Sequence, residues 1–264
     1  MPKLEVITRN TTGEKQPTPL LFVHGAWHGA WCWDKHFLPY FAEKGYDAHA
    51  LSLRNHGNSE SPGSLKMVTL GDYVDDIESV VKTFDSPPVI IAHSMGGFIL
   101  QKYLERHRPA GAVLFASIPP TGTLPLSLNL LVNDTWNFLK ANLTMSLYPL
   151  VSTPEQAKQM FFSNDMPEEE VAEYHAQLQD ESYIAFLGTL LTLPMAMRIQ
   201  LTPLVLGGGT DTVISPKAVR ATAKAYGTEA VIFEDTAHDM MLERNWKQVA
   251  DHILDWLDKK GYES

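Results

Sequence analysis

The stretch AHSMGG (residues 92–97) decides the fold, because it lies between two apolar runs. The run VII (89–91) before it predicts a buried strand, and the run FIL (98–100) after it predicts a helix. A serine in a sharp turn between strand and helix presents its hydroxyl off the edge of the sheet, and small residues two positions before and after it avoid collisions. Ala92 and Gly96 fill these two positions, although glycine is commoner at the first. The stretch therefore predicts Ser94 as a nucleophile.

Strands and helices alternate on both sides of this turn. The predicted strands are 19–23, 47–53, 88–92, 112–117, 202–206 and 230–233. The predicted helices between and after them are 33–44, 70–84, 95–107, 216–226 and 246–260. This alternation predicts an α/β fold with a mostly parallel central sheet flanked by helices.

The alternation stops at PPTG (119–122) and returns near residue 201. The residues between contain no convincing strand, and their apolar spacing predicts helices over 126–143, 154–162, 167–179 and 181–193. We interpret residues 119–200 as a helical cap inserted after the sixth strand of the sheet. Residues 1–118 and 201–264 then form the core.

The composition is that of an ordinary globular protein with an acidic balance. The 264 residues include 21 Lys and Arg against 31 Asp and Glu, for a formal net charge of -10, and without a dense basic run nucleic acid is not an expected partner. The single cysteine, Cys32, excludes an internal disulfide and is expected to be a small buried residue. Neither a signal peptide nor an apolar stretch of about 20 residues is found, so we expect a cytoplasmic protein without a membrane partner, as a monomer or homodimer.

A serine hydroxyl is a poor nucleophile at neutral pH and needs a base, which in turn needs an acid to orient it. The strand at 202–206 leads into GGGTD (207–211), and the strand at 230–233 is followed by EDTAH (234–238). Asp211 and His238 therefore both follow strand ends. Along the chain the order is nucleophile, acid and base, which is the order used by enzymes that hold a nucleophilic serine in such a strand-to-helix turn. Asp235 and Asp239 are too near His238 in sequence to come from a separate strand end, and we expect them to be solvated.

Ten histidines compete for the role of base. Position favours His238, because His93 points away from a standard turn of this kind and other histidines have structural explanations. Those in loops at strand ends are His24 and His56, and those on predicted helices are His107, His175 and His252.

The negative oxygen that develops during acyl transfer needs backbone donors that are already in place. One is the amide that follows the nucleophile, Met95, and the other comes from the loop after an early strand, where we choose Ala26 within HGAW (24–27). The alternative is that His24 and Gly25 only turn the chain. We expect no metal site, because the single cysteine leaves no Cys/His cluster with zinc-like spacing. We expect no cofactor, because neither a phosphate loop nor a complete dinucleotide fingerprint is found.

Three segments carry a resemblance to a known family: HGAWHGAWCW (24–33), the turn at 92–97 and AHDMML (237–242). They resemble the α/β-hydrolase superfamily, and in detail the plant methylesterase and hydroxynitrile lyase branch with its bacterial esterase and lactonase relatives. The resemblance implies the α/β-hydrolase fold, the triad of Ser94, Asp211 and His238, and a helical cap over an apolar pocket. The lyases resembled here have Thr at the position of Gly25 and Lys at that of Asp239, so lyase activity is not expected.

The expected function is that of a serine hydrolase that cleaves small apolar carboxylic esters or lactones through an acyl-enzyme on Ser94, with acyl-homoserine lactones among the candidates. Two alternatives stay open: a cofactor-free oxygenase or haloperoxidase-like enzyme, and a non-catalytic ligand receptor on the same fold. Epoxide hydrolases and haloalkane dehalogenases are excluded by their carboxylate nucleophile. The large side chains predicted to line the pocket beside Met95 are Trp27, Trp136, Phe138, Phe186 and Met240.

Overall fold

The protein is built around a seven-stranded sheet. A computed structural model describes residues 2–11 and 13–262. The strands are β1 (Glu5–Arg9), β2 (Leu20–Val23), β3 (Ala48–Ser52), β4 (Val89–His93), β5 (Gly111–Phe115), β6 (Leu204–Gly208) and β7 (Ala230–Phe233). Their spatial order is β1-β3-β2-β4-β5-β6-β7, and each neighbouring pair is parallel except β1 with β3. The prediction of a mostly parallel sheet is confirmed.

The edge strand β1 is the strand that the sequence pattern does not reveal. Its residues EVITR have a charge at each end and are at most partly buried. In contrast, β2 and β4 are buried along their whole length, because the central strands of a parallel sheet are covered on both faces. An edge strand therefore lacks the apolar run that marks its neighbours.

Helices cover both faces of this sheet, as the alternation predicts. Those of the predicted core are α1 (Trp31–Asp34), α2 (Phe37–Glu43), α3 (Leu70–Val81), α4 (Ser94–Leu104), α10 (Pro216–Ala225) and α11 (Trp246–Lys259). Those between β5 and β6 are α5 (Leu124–Asn133), α6 (Thr135–Thr144), α7 (Pro154–Phe161), α8 (Glu168–His175) and α9 (Tyr183–Leu191). In the part of the chain that the structure describes, no helix is long and apolar enough to cross a membrane.

Two of the predicted helices are each divided in the structure. The segment 33–44 forms α1 and α2, which are separated at His36, where the backbone leaves the helical region. The segment 126–143 forms α5 and α6, which are separated at Asp134. The Asp134 carboxylate accepts hydrogen bonds from the Asn137 side chain, a local polar contact of the kind that favours helix ends over helix interiors.

The helical insertion follows β5, which is the fifth strand of the chain, and not the sixth as expected. The residue pattern gives four strands before this point, and β1 adds the fifth in the described residues. The stretch between β5 and β6 contains α5 to α9 and no strand. The division into a core and a cap at residues 118 and 200 stays an interpretation.

Aromatic rings fill the layer between the sheet and the first two helices. Phe22 of β2 contacts Trp33, Phe37 and Phe41 with ring centroids between 5.1 and 6.2 Å apart. Cys32 lies next to this cluster and is completely buried. Burial raises the pKa of its thiol well above the usual value, so Cys32 is a packing residue, as predicted.

The turn between β4 and α4 is constrained by its backbone conformation and by its packing. Ser94 has a positive φ of 50°, a conformation that costs a non-glycine residue about 1–3 kcal/mol. The turn packs against the loop after β2: a Cβ at Gly96 would lie 2.2 Å from the carbonyl oxygen of His24. Glycine at this position therefore allows two backbone segments to touch.

We expect Gly96→Ala to destabilise the protein by about 3 kcal/mol, because the backbone carbonyl of His24 cannot rotate away from the added methyl group. The matched control is Gly71→Ala in α3, where the added Cβ comes no closer than 3.6 Å to a neighbouring side chain. Alanine is favoured over glycine inside a helix by about 1 kcal/mol, so this control should be neutral or stabilising. Urea unfolding measures both free energies, and equal losses would contradict the packing described.

Candidate active site

The structure brings together the three residues that sequence predicted as a triad. Ser94 begins α4 directly after β4, while Asp211 and His238 follow β6 and β7. Because the carboxyl ends of parallel strands meet at one edge of a sheet, these side chains converge. The His238 Nε2 atom lies 2.9 Å from Ser94 Oγ, and His238 Nδ1 lies 2.7 Å from Asp211 Oδ2.

The Asp211 carboxylate is oriented by its own loop. Its Oδ1 atom accepts hydrogen bonds from the backbone N–H groups of Val213 and Ile214, at 2.7 and 2.8 Å. Its Oδ2 atom accepts a hydrogen bond from His238 Nδ1, which fixes the tautomer of the ring. With Nδ1 donating, the Nε2 atom is the one that can accept the hydroxyl proton of Ser94.

The electrostatic surroundings of His238 favour its protonated form. Burial alone lowers the pKa of the ring, but the charge of Asp211 and its hydrogen bond raise the pKa more, and Asp239 adds to this. The net result is a pKa above the usual value of 6.5. The ring can therefore carry the proton that a reacting serine would release.

The loop after β2 approaches the Ser94 side chain closely. A Cβ at Gly25 would lie 2.9 Å from Ser94 Cβ and 2.7 Å from His93 Nδ1. Gly25 is not among the residues with positive φ, so its small size serves this contact and not an unusual turn. Ala26 and Met95 line the same cavity as Ser94, and Met95 lies in the first turn of α4, where backbone N–H groups have no partner within the helix.

His24 holds the peptide that carries the Ala26 N–H. Its Nδ1 atom donates to the carbonyl of Gly25 at 2.7 Å, and its Nε2 atom accepts from the backbone N–H of Leu53 at 3.0 Å. One donor and one acceptor define a neutral ring, and burial lowers its pKa well below the usual value. The peptide between Gly25 and Ala26 is therefore fixed from its carbonyl side.

Asp239 is fully buried, so the expectation that it is solvated is wrong. Its Oδ2 atom lies 2.9 Å from Nε2 of His28, whose Nδ1 atom donates to the carbonyl of Ala26 at 2.7 Å. The pair thereby joins the loop of Ala26 to the loop of His238. Sequence spacing could not reveal this contact, because the two residues are 211 positions apart. Asp235 is exposed, as expected.

His93 contacts the loop that carries His238. It is buried, and its Nε2 atom donates to the backbone carbonyl of His238 at 3.2 Å. Burial and the neighbouring histidines lower its pKa well below the usual value. As predicted, the ring is not directed at the Ser94 hydroxyl.

A small apolar cavity of about 30 Å³ lies at Ser94. Of the residues predicted to line a pocket, Trp27, Met95 and Phe186 do so. The further wall residues are Ile118, Leu126, Leu130, Leu150, Met160 and Val213. The spacing of Leu126 and Leu130 by one helical turn is the signal that could have identified two of them.

Three residues predicted for the pocket do not line this cavity. Trp136 lies on α6 with 76% of its surface exposed, and Phe138 is half-buried on the same helix. Met240 is completely buried in the loop after His238, away from the cavity wall. Helical periodicity gives the apolar residues of a helix, but it does not tell which side of the helix faces the site.

Residues 20–252, from the first buried strand to the last helix, match the family described as "Alpha/beta hydrolase family". The chain belongs to this family. Its fold class, expected from the sequence, is confirmed by the match and by the sheet.

Relatives of this protein are found among plant and bacterial proteins. Methylesterase 18 of Arabidopsis thaliana is 25% identical over 74% of this chain and 80% of its own length. Norfluorocurarine synthase 2 of Strychnos is 28% identical over 56% of each chain, so this protein matches about half of that relative. Non-heme chloroperoxidase CPO-A1 of Kitasatospora aureofaciens is 32% identical over 40% of this chain and 38% of its own.

Solved structures share the fold of this protein at low identity. An esterase from Exiguobacterium antarcticum superposes with a TM-score of 0.75 at 18% identity, covering 97% of this chain and 96% of its own. Est816, described as an N-acyl homoserine lactone degrading enzyme, superposes with a TM-score of 0.70 at 17% identity and covers 96% of each chain. These matches extend over the helical insertion as well as the sheet.

One group of side chains in the described residues has the spacing of metal ligands. The ligand atoms of His93, His238 and Asp239 lie within 4.8 Å of one another. Both ring nitrogens of His238 already contact Ser94 or Asp211, and Asp239 contacts His28. Both nitrogens of His238 are thus engaged by these two contacts, and the group is part of the triad's surroundings.

We expect Asp239→Ala to destabilise the protein by about 3–5 kcal/mol, because it leaves the His28 ring buried without its carboxylate partner. Asp235→Ala, four positions earlier in the same segment, removes an exposed carboxylate and should change the free energy of unfolding by less than about 0.5 kcal/mol. Urea unfolding of the two variants gives the comparison. The role assigned to the buried pair is wrong if both changes have the same small effect.

Proposed function

We propose that this hydrolase cleaves small apolar carboxylic esters or lactones through an acyl-enzyme on Ser94. The observation that carries the proposal is the hydrogen-bonded line from Asp211 through His238 to the Ser94 hydroxyl, which ends in an apolar cavity. A nucleophile, a base and an orienting acid in this geometry are the requirements of acyl transfer.

In the first half-reaction, His238 Nε2 takes the hydroxyl proton of Ser94 while Oγ attacks the carbonyl carbon. The oxygen of the tetrahedral intermediate accepts hydrogen bonds from the backbone N–H groups of Ala26 and Met95. Asp211 stays ionised and stabilises the imidazolium ring. The bond to the alcohol oxygen then breaks, and this oxygen takes the proton from His238 Nε2.

In the second half-reaction, water attacks the acyl carbon and gives a proton to His238 Nε2. The intermediate collapses, the carboxylic acid leaves, and Ser94 Oγ takes the proton back. Each step uses the same ring nitrogen, so the 2.9 Å contact between His238 Nε2 and Ser94 Oγ serves both halves.

The walls of the cavity favour an apolar, uncharged acyl group. The residues that line it carry no ionisable side chain, and they include Trp27, Leu126 and Phe186. Such a site favours alkyl and aryl groups over multiply charged substrates. The names of the relatives and of the similar structures, which include a methylesterase, an esterase and a lactone degrading enzyme, support an ester or a lactone as the reacting group.

A haloperoxidase-like activity is a second candidate, favoured by the similarity to a non-heme chloroperoxidase. The same serine would then form the acyl-enzyme, and hydrogen peroxide would replace water as the attacking nucleophile. Halogenation that depends on peroxide and a carboxylic acid would distinguish this activity from simple hydrolysis.

We expect the wild-type protein to hydrolyse p-nitrophenyl esters or an acyl-homoserine lactone, and Ser94→Ala to lower kcat/KM by roughly 10⁴-fold or more. The assay is release of p-nitrophenol from acetate to decanoate esters, beside ring opening of the lactone, with circular dichroism as the control for folding. Full activity of Ser94→Ala would refute the mechanism. A wild-type protein that cleaves no substrate but binds a ligand tightly would favour the alternative of a non-catalytic ligand receptor.

We expect the acid limb of the kcat/KM profile to lie above pH 6.5. The base must be neutral, and its pKa is raised, so activity is lost as pH falls through that raised value. Asp211→Asn removes the charge while burial remains, so the limb should move to lower pH and kcat should fall by roughly 10³–10⁴. Asp235→Asn, at an exposed carboxylate, is the control that should leave the limb in place. A wild-type limb below pH 6.5 would contradict the assignment.

A further inference from the structure

Two cavities of this hydrolase share two wall residues. The cavity at Ser94 is lined by Leu126 and Val213 among others, and a second cavity, open at the surface, is lined by the same two residues from outside. We call the second cavity the outer groove. It measures about 290 Å³, and its remaining walls come from segments 119–129 and 212–218.

The cavity at Ser94 is too small for a complete ester. Its volume of about 30 Å³ has room for about two water molecules. An acyl or alkyl chain of more than a few carbons must therefore extend beyond the present walls. The outer groove lies directly behind two of these walls, so it is the adjacent space with room for a chain.

The chemistry of the outer groove fits a hydrocarbon chain. Its apolar walls include Pro125, Ile214 and Ala218, and no charged side chain lines it. The polar groups present are neutral, such as Asn129 and Ser215. Carboxylate or phosphate groups would find no oppositely charged side chain here, whereas a chain of methylene groups would be removed from water.

The two shared residues, Val213 and Leu126, differ in how firmly their segments are held in place. The backbone N–H of Val213 donates to Asp211, so this residue is tied to the triad. Leu126 lies on α5, whose only buried side chain is Ser127 and whose start is held to α9 by a 2.7 Å hydrogen bond between Thr123 and Thr189. A small displacement of the Leu126 side chain is therefore the least costly way to join the two spaces.

We infer that the outer groove is the subsite for the unbranched hydrocarbon chain of the substrate, and that Leu126 and Val213 form the gate between this subsite and Ser94. The inference rests on the proposed function, because it assumes that an ester is bound at Ser94. The chain belongs either to the acyl group or to the alcohol, and the two are distinguished by experiment.

The test compares Leu126→Ala with Leu130→Ala. Both changes remove the same atoms from α5 one turn apart, and both residues line the cavity at Ser94, but only Leu126 also lines the outer groove. kcat/KM is measured for p-nitrophenyl acetate to decanoate, which varies the acyl chain, and for methyl to octyl acetate, which varies the alcohol chain. Val213→Ala and Leu126→Phe serve as second variants.

We expect Leu126→Ala and Val213→Ala to raise the ratio of long-chain to short-chain kcat/KM by about 10-fold or more in one of the two series. Leu126→Phe should lower this ratio, and Leu130→Ala should change it by less than about two-fold. The series that responds identifies the chain as acyl or alcohol. The gate is refuted if neither series responds, or if Leu130→Ala has the same effect as Leu126→Ala.

A binding experiment separates this inference from the proposed function. Decanoate and decanol are titrated by calorimetry into Ser94→Ala and into the double variant Ser94→Ala/Leu126→Ala. A change in affinity of about 10-fold or more for either ligand supports the subsite even if the wild-type protein cleaves no ester. An unchanged affinity for both ligands, together with normal ester cleavage by the wild-type protein, overturns the subsite and leaves the proposed function intact.

Discussion

The contact between the loop after β2 and the turn at Ser94 is the constraint on which the active site depends. Two glycines make it possible: Gly96 on the turn faces the carbonyl of His24, and Gly25 on the loop faces Ser94 itself. Because both contacts are tight, the Ala26 and Met95 amides are held near the serine by packing that exists before any substrate arrives. In the proposed mechanism, donors that are already in place are more effective than donors that must be ordered during the reaction.

The buried histidines around this contact have different roles because their partners differ. One ring nitrogen of His24 donates to a backbone carbonyl and the other accepts from a backbone N–H, so the ring is neutral. His28 pairs with Asp239, and His56 pairs with Glu181 at 3.3 Å, a contact that outweighs burial and raises the pKa of His56. His238 is distinguished from them by contacting both a carboxylate and a serine hydroxyl. The contact of a histidine ring with both a carboxylate and a serine hydroxyl therefore arises from the pattern of partners, while burial is common to all of these rings.

Much of this arrangement could be predicted from the sequence, and the exceptions share a physical reason. The runs around residues 89–100 and the strand ends before Asp211 and His238 carry local signals, and the order of parallel strands then places those side chains together. Asp239 gave no local signal, because its burial depends on His28, far away in the chain. Trp136 was expected in the pocket, yet it faces solvent, because hydrophobicity along α6 does not specify which side of the helix the core will cover.

The insertion between β5 and β6 is attached to the core unequally along its length, and this difference bears on substrate binding. The part of the insertion after α6 is hydrogen-bonded to the core. The backbone N–H of Gln179 donates to the carbonyl of Trp27, and its side-chain oxygen accepts from the backbone N–H of Gly57. The backbone N–H of Asp239 donates to the carbonyl of Phe161. In α5 and α6, by contrast, Ser127 and Ala141 are the buried residues, and Val132 is 76% exposed. Segments with few buried contacts open at a lower free energy than those with many. Movement that admits a substrate is therefore expected in α5 and α6, where it can change the size of the cavity without disturbing the hydrogen bonds that align His238 with Ser94.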